Sequence, residues 1–290
     1  MATAGATLTE RPTTAARVAT ARHHLRALEG IVGRELLRFV HQRGRFLAAL
    51  VRPLVWLFVF AAGFRAVLGV SIQPPYQTYV LYEVYITPGL IGMIQLFNGM
   101  QSSLSMVYDR EMGSMRVLLV TPLPRWYLLT CKLLAGVLVS ILQVYVFLLI
   151  AWFWGIEAPL VGYLAVLPAL VVSGLMLGAL GLLLSSVIRQ LENFAGVMNF
   201  IIFPMFFASS ALYPLWRVRE SSVLLYQIAA LNPFTHAVEL IRFALYGQLN
   251  PVALAVTLGC ALLFLGLAIL GYNPARGFMA RKAGGGGGGE

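Results

Sequence analysis

Apolar residues fill long stretches of this chain, and the length of those stretches predicts their structure. A helix needs about 20 largely apolar residues to cross the hydrocarbon core of a membrane, which is about 30 Å thick. Runs such as 144–154 and 252–270 have no polar face that could turn to water. The pattern predicts an all-α integral membrane protein with six spanning helices, near residues 47–68, 84–107, 126–154, 160–187, 194–213 and 251–272.

A different pattern, with the period of a helix, precedes the first predicted span. Apolar side chains recur on one side and basic side chains on the other, the apolar set being Leu25, Leu28, Val32, Leu36 and Phe39 and the basic set Arg34, Arg38, His41 and Arg45. This predicts an amphipathic helix over residues 22–46 that lies on the membrane surface. The alternative is a solvated helix packed on a soluble domain, but no soluble domain is left for it to pack on.

The two ends of the chain are predicted to flank a single membrane domain at residues 47–272. Residues 1–21 are small, polar and rich in threonine, and we expect them to be disordered. Residues 273–290 are expected to form a flexible cytoplasmic tail, because 284–289 are all glycine.

Residues 221–247 do not fit the pattern of a lipid-facing span. An apolar run at 223–231 is followed by too many polar interruptions, namely Asn232, Pro233, His236, Glu239 and Arg242. We expect two short re-entrant helices that dip in from the outer surface and return, with Asn232 and Pro233 at the turn. A further full crossing would also put Arg276, Arg281 and Lys282 on the outer side, against the positive-inside bias.

Composition and charge agree with a membrane protein and exclude a nucleic-acid partner. The chain is 59% hydrophobic and 11% charged, against about 25% charged residues in soluble domains. Its formal charge of +10 could suggest nucleic acid, but the basic residues gather on one predicted side, as an anionic leaflet requires. The exceptions are Arg52, in the inner end of the first span, and four arginines predicted on the outer side of the membrane, namely Arg65, Arg217, Arg219 and Arg242. We expect a bacterial inner-membrane protein, in contact with lipid, with both termini cytoplasmic.

The chain offers no catalytic or metal-binding chemistry. A P-loop needs Gly-Lys followed by Ser or Thr, and no glycine of this chain precedes a lysine. The four histidines are scattered, Cys131 and Cys260 lie in apolar runs, and acidic residues are nearly absent from the spans. We therefore expect no enzyme activity, no metal and no cofactor on this chain.

Two stripes inside the predicted spans carry the remaining information. Gly174, Gly178, Gly181 and Ser185 share a helix face, which predicts close packing of two backbones. The second stripe is polar and comprises Gln95, Asn98, Ser102 and Ser105, with Asn199 deep in the fifth span. Buried amides need hydrogen-bond partners or a cavity. The stripe therefore either forms interhelical hydrogen bonds or lines a translocation path.

Two segments resemble a known family. Residues 108–125 read YDREMGSMRVLLVTPLPR, similar to the coupling-helix signature of the ABC-2 type permeases, in which an acid, a glycine and a small hydroxyl residue precede an apolar pair and Thr-Pro. Residues 212–247 carry LYPL, LNPF and ELIR in that order, as in that family's outer re-entrant helices before the last span. Residues 116–132 also resemble permeases found beside quinoprotein alcohol dehydrogenases.

The resemblance implies the permease subunit of an ATP-driven exporter that works as a dimer, expected to be a homodimer. Two separate ATPase subunits would bind ATP and Mg and dock beneath it. Pro214, Asn232, Pro233, Glu239 and Arg242 would form the outer re-entrant motif. Coupling would run through a cytoplasmic helix at 109–118, its residues being Asp109, Glu111, Met112, Gly113, Met115 and Arg116, followed by Thr121 and Pro122.

Charges and spacing are compatible with that helix. Asp109 and Glu111 would favour its amino end and Arg116 its carboxyl end. Met112, Met115 and Leu119 would form an apolar ridge.

The alternative interpretation of the whole chain is a membrane-embedded enzyme or assembly scaffold without transport activity. Drug, lipid, glycan and small metabolite stay open as substrates, because amides and aromatic rings discriminate poorly among them.

Overall fold

The computed structural model describes residues 26–34, 36–37, 41, 43–64, 74–78, 80–111, 124–188 and 190–272. Its helices, numbered in chain order, are α1 Arg43–Phe64, α2 Tyr82–Glu111, α3 Arg125–Phe153, α4 Leu160–Val187, α5 Leu191–Phe207, α6 Leu215–Ser221, α7 Val223–Leu231, α8 Pro233–Leu245 and α9 Pro251–Gly271. The all-helical prediction is confirmed for these residues.

Within the part of the chain that the structure describes, three helices are long and apolar enough to cross a membrane, namely Trp126–Phe153, Leu160–Val187 and Pro251–Gly271. Of the other predicted spans, the first coincides with α1, which has 22 residues, the second with a more polar helix and the fifth with a shorter one. Helix α5 has 17 residues, about 25 Å at 1.5 Å per residue. Helix α2 carries the amides and serines of the polar stripe, which lower its hydropathy.

The predicted end of the fifth span at residue 213 is wrong. Helix α5 ends at Phe207, and residues 208–213 form turns. The reason lies in a distant side chain, because the amide of Asn232 donates hydrogen bonds to the carbonyl oxygens of Met205 at 2.8 Å and Ala208 at 2.7 Å. Those carbonyls are thereby satisfied without another helical turn.

Helix α4 lies at the centre of the bundle. It packs against α2, α3, α8 and α9, and its buried face is rich in small residues, including Gly174, Ala179 and Gly181. Small residues let neighbouring helices approach closely in the absence of a strong hydrophobic driving force. The large apolar core surrounds this face and includes Tyr85, Leu90, Phe147 and Phe206.

The amino-terminal stretch agrees with the amphipathic pattern as far as it is described. Residues 26–34 are helical, Leu28 and Val32 are half-buried, and Arg26 and Arg34 are exposed. Residues 22–25 lie outside the described residues, as do 1–21 and 273–290.

The short helices after α5 match the prediction of two helices joined at Asn232. Helix α7 ends at Leu231, and α8 begins at Pro233, with Asn232 between them. The additional short helix α6 precedes them. Their depth in a membrane stays a prediction.

The predicted start of a separate helix at Asp109 is wrong. Helix α2 continues through Glu111, so Asp109 and Glu111 belong to its last turn rather than to the first turn of another helix. No proline occurs between Gly89 and Glu111 to end the helix earlier. The other predicted coupling residues lie outside the described residues, namely Met112, Gly113, Met115, Arg116, Thr121 and Pro122.

Candidate functional site

Helices α2 and α4 touch backbone to backbone at a glycine seam, formed by Gly99, Gly174, Gly178 and Gly181. A β-carbon at Gly99 would lie 2.9 Å from the Cα of Gly178 and 2.9 Å from the carbonyl oxygen of Leu177. One at Gly181 would lie 2.7 Å from the carbonyl oxygen of Gly99. The predicted packing role of the glycine stripe is therefore confirmed. Ser185, at the end of the stripe, pairs its hydroxyl with that of Tyr272 at 2.7 Å.

Gln95 binds α4 through both ends of its amide. Its Nε2 donates to the carbonyl oxygen of Leu170 at 2.7 Å, and its Oε1 accepts from the hydroxyl of Ser173 at 2.6 Å. The side chain is 1% exposed. Gln95 thus takes the interhelical hydrogen-bonding role, one of the two interpretations of the polar stripe.

Asn98 joins α2 to α3. Its Nδ2 donates to the Oε1 of Gln143 and to the carbonyl oxygen of Ile94, the latter at 3.1 Å. Gln143 is buried in α3 and was not predicted as a site residue, although a single amide inside an apolar run needs a partner by the same argument. Ser102 lies against Gly136, also on α3, and Ser105 donates to the carbonyl oxygen of Ser102 at 2.7 Å.

A cavity of about 70 Å³ opens between α1 and α2, beside the polar stripe. Arg52 lies at this cavity with its guanidinium carbon 3.8 Å from the ring centroid of Phe97, within the range of a cation–π contact. Asn98 and Gln101 supply amides, and Pro53 and Met93 supply apolar walls. The arrangement offers a cation, hydrogen-bonding groups and an aromatic face to one space.

Asn199 is not part of this arrangement. It is exposed on α5, next to Phe200, which is 79% exposed, and it does not line the cavity. The expectation that Asn199, deep in the fifth span, faces protein or a cavity is not met within one protomer, where Asn199 is exposed although Ile202 and Phe206 on the same side of α5 are buried.

A second polar group is here called the outer cluster, after the side of the membrane on which the sequence predicts Arg242. It is built around Arg242 and includes Tyr76, Tyr85, Ser210, Glu239 and Tyr246. Arg242 is 1% exposed. Its Nη1 donates to the Oε1 of Glu239, and its Nη2 donates to the carbonyl oxygen of Ser210 at 2.8 Å. The guanidinium carbon lies 4.1 Å from the ring centroid of Tyr85.

Two tyrosines of α2 connect the outer cluster to the turn after α5. The hydroxyl of Tyr85 donates to the carbonyl oxygen of Ser210 at 3.0 Å. The hydroxyl of Tyr82 donates to the carbonyl oxygen of Leu212 at 2.8 Å. Burial raises the pKa of Tyr76, and burial likewise raises the pKa of Tyr246 to about 12. Both hydroxyls therefore stay neutral, and the ion pair of the cluster is Arg242–Glu239.

The remaining predicted motif residues fix the short helices. The Oδ1 of Asn232 accepts from the backbone N–H of Phe234 at 3.0 Å and caps α8, and Pro233 occupies the first turn. The hydroxyl of Thr235 donates to the carbonyl oxygen of Ala229 at 2.6 Å. Pro214 is buried at the start of α6. The structure thus brings Glu239 and Arg242 together, while Asn232 ties α7 and α8 to α5.

No group of three or more His, Cys, Asp or Glu side chains in the described ranges is placed to hold a metal ion. The sequence interpretation missed Tyr76, Tyr85 and Ser210. Their signal was weak, since each is a single polar residue whose neighbours in the fold come from distant segments.

Comparisons with known proteins identify the relatives of this chain. The model of the family described as ABC-2 type transporter matches residues 26–246. The putative transport permease ycf38 of Porphyra purpurea is 26% identical over 225 residues, covering 76% of this chain and 74% of that protein. The probable multidrug ABC transporter permease YbhR of Escherichia coli strain K12 is 31% identical over 170 residues. That alignment covers 58% of this chain and 45% of the relative.

Proposed function

Because this chain belongs to the ABC-2 type transporter family, whose members are membrane permeases, we propose that it is the membrane subunit of an exporter driven by a separate ATP-hydrolysing subunit. Two such subunits, with ATP and Mg, dock on the cytoplasmic side of a homodimer of this chain. The absence of a P-loop from the sequence and the name of the Escherichia coli relative as an ABC transporter permease support this division of labour.

The observation that carries the mechanism is the continuity of α2. This helix has 30 residues, Tyr82–Glu111, about 45 Å at 1.5 Å per residue. Tyr85 near its start belongs to the outer cluster, Gly99 lies in the glycine seam, and Glu111 at its end lies within the segment that resembles the coupling helix. Movement of that segment by an ATPase would reach the outer cluster through one continuous helix.

The proposed path for the substrate begins at the cavity beside Arg52. Asn98 and Gln101 border it, whereas Gln95 and Ser102 stand on neighbouring turns of the same helix. Asn199, exposed on α5, would line a path between two protomers rather than within one. The cavity offers a cation, amides and an aromatic ring, which suit an amphipathic substrate. The substrate class stays open between drug, lipid, glycan and small metabolite.

The membrane arrangement we propose has six spans in the bacterial inner membrane, formed by α1–α5 and α9, with both termini cytoplasmic. Helices α7 and α8 would enter from the outer surface and return. The sidedness of the basic residues supports this arrangement.

Single-cysteine labelling tests the arrangement. Tyr76 is buried and would not react even on the outer side, so the exposed neighbour Gln77 is the better position, with Glu157 and Glu220 as further outer positions and Glu29 as the inner one. In a background without Cys131 and Cys260, an impermeant maleimide on intact cells should label the three outer positions and spare Glu29. Labelling of position 29 with none at 77 would contradict the proposal.

Two substitutions test the coupling. Glu111→Lys and Gly113→Trp should leave the permease inserted and folded but reduce recovery of the ATPase in pull-downs and lower its hydrolysis in proteoliposomes. Glu157→Lys makes the same charge change in the α3–α4 connection and serves as the control. Wild-type complex yield and hydrolysis in both test variants would show that this segment does not couple.

A further inference from the structure

Three buried side-chain atoms of the outer cluster have no hydrogen-bond partner among the described residues. They are the hydroxyl of Tyr76, the hydroxyl of Ser210 and the Nε of Arg242. The residues are 5%, 1% and 1% exposed, respectively. A buried polar group without a partner destabilises the fold, so three together call for an explanation.

The three residues converge although they come from distant segments. Arg242 binds the backbone of Ser210 at 2.8 Å. Its guanidinium also lies 4.1 Å from the ring of Tyr85, whose centroid is 6.3 Å from that of Tyr76. The ring of Tyr76 also lies 4.9 Å, centroid to centroid, from that of Tyr246. The three residues therefore belong to one contiguous group of side chains.

The hydrogen-bonding capacity of the three atoms restricts which ligand can bind between them. The Nε of arginine only donates a hydrogen bond, whereas each hydroxyl can donate or accept. A matching ligand must therefore accept one hydrogen bond from Arg242 and exchange others with two hydroxyls. Glu239 neutralises Arg242, so the cluster has no surplus charge to attract an ion.

We propose that the outer cluster holds one buried water molecule, bound by the Nε of Arg242, the hydroxyl of Ser210 and the hydroxyl of Tyr76. Its oxygen accepts from Arg242 and from one hydroxyl, and one of its O–H groups donates to the other hydroxyl. Three hydrogen bonds are the usual number for a buried water. The water joins α8 to the turn after α5 and to the segment before α2.

X-ray radiolytic footprinting of the full chain in lipid nanodiscs tests the site. Hydroxyl radicals form from water at its binding position, so aromatic rings beside a bound water are modified even when they are buried. Tyr76 and Tyr85 should be modified about tenfold faster than Phe147 and Phe194, which are 0% exposed and lie in apolar surroundings. Equal, slow modification of all four rings would overturn the proposal.

A second measurement identifies the ligands of the water. Tyr76→Phe and Ser210→Ala each remove one ligand, and the double variant should reduce modification of Tyr85 to the level of Phe147. Both single variants should lower the melting temperature, with a non-additive double effect because they share one water. Persistent fast modification of Tyr85 in the double variant, or single variants that are as stable as the parent or more so, would overturn the assigned site. Tyr226→Phe, at a half-buried tyrosine of α7, is the control for the loss of a hydroxyl.

Discussion

The glycine seam and the outer cluster hold the same helix, α2, by opposite means. At the seam, Gly99 and Gly178 bring two backbones into contact, and the nearby Gln95 forms neutral hydrogen bonds to α4. The outer cluster instead fixes α2 through a buried arginine, its carboxylate partner and tyrosine hydroxyls. The seam should therefore be sensitive to added volume and the cluster to lost charge.

The largest effect should come from Arg242→Met. Removing one partner of a buried ion pair costs about 3–5 kcal/mol of folding stability. Because the side chain of Glu239 is 19% exposed, we expect a loss near the lower end of that range. Thermal unfolding of the purified protein in detergent measures it. The double variant Arg242→Met/Glu239→Leu should recover part of the loss, because it leaves no uncompensated charge; a double variant less stable than the single one would contradict the charge argument.

The next largest effect should come from Gly178→Leu in the seam. Its β-carbon would lie 2.5 Å from the Cδ1 of Leu133 on α3, and overpacking of this kind costs about 1–3 kcal/mol. Gly259→Leu in α9 is the matched control, since nothing lies within 4 Å of its added β-carbon. Size-exclusion profiles after heating should show loss of the monodisperse peak for the first variant only. Equal heat resistance of the two variants would refute close packing at Gly178.

A smaller effect is expected for Asn232→Ala. The change removes the cap of α8 and two hydrogen bonds to the end of α5, and loss of a cap costs about 0.5–2 kcal/mol. Asn232→Ser keeps a capping oxygen but loses the two amide donors. The melting temperature of the serine variant should lie between those of the parent and the alanine variant, and a serine variant no more stable than alanine would show that the cap contributes nothing.

The smallest effect is expected for Gln95→Leu. Interhelical hydrogen bonds in membranes average about 0.6 kcal/mol, and Ser173 keeps a second acceptor, the carbonyl oxygen of Ala169 at 2.6 Å. We therefore expect a loss of about 1 kcal/mol, measured by the same thermal unfolding. A loss as large as that of Arg242→Met would remove the distinction between the two regions. Gln227→Leu, at an exposed position of α7, is the control.

The sequence predicts those parts of the fold that depend on local apolar length. The bounds of α3, α4 and α9 agree within one residue with the predicted segments, because each is a long apolar run with proline or glycine near its ends. The end of α5 was missed because it depends on Asn232, which reaches Met205 from 27 positions along the chain. No pattern within the run 194–213 carries that information.

In the candidate site, too, the sequence predicts features that lie on one helix but not contacts that depend on how helices pack. The glycine stripe was predicted because all its members lie on one helix face. The partners of Gln95 and Asn98 were not, because Leu170 contributes only a backbone oxygen and Gln143 is a lone amide in α3. Arg242 and Glu239 were expected in a motif, but their contacts with Tyr85 and Ser210 depend on how α8 packs on α2.

The position of the seam along α2 also gives this helix the geometry of a two-armed lever. If Gly99 is the fulcrum, the arm toward Tyr85 is about 21 Å long and the arm toward Glu111 about 18 Å, at 1.5 Å per residue. A tilt about Gly99 that moves the Glu111 end by one distance would move the Tyr85 end about 1.2 times as far in the opposite direction. A tilt of α2 started from its Glu111 end would therefore displace the ring of Tyr85 relative to the Arg242 guanidinium, which lies 4.1 Å from it.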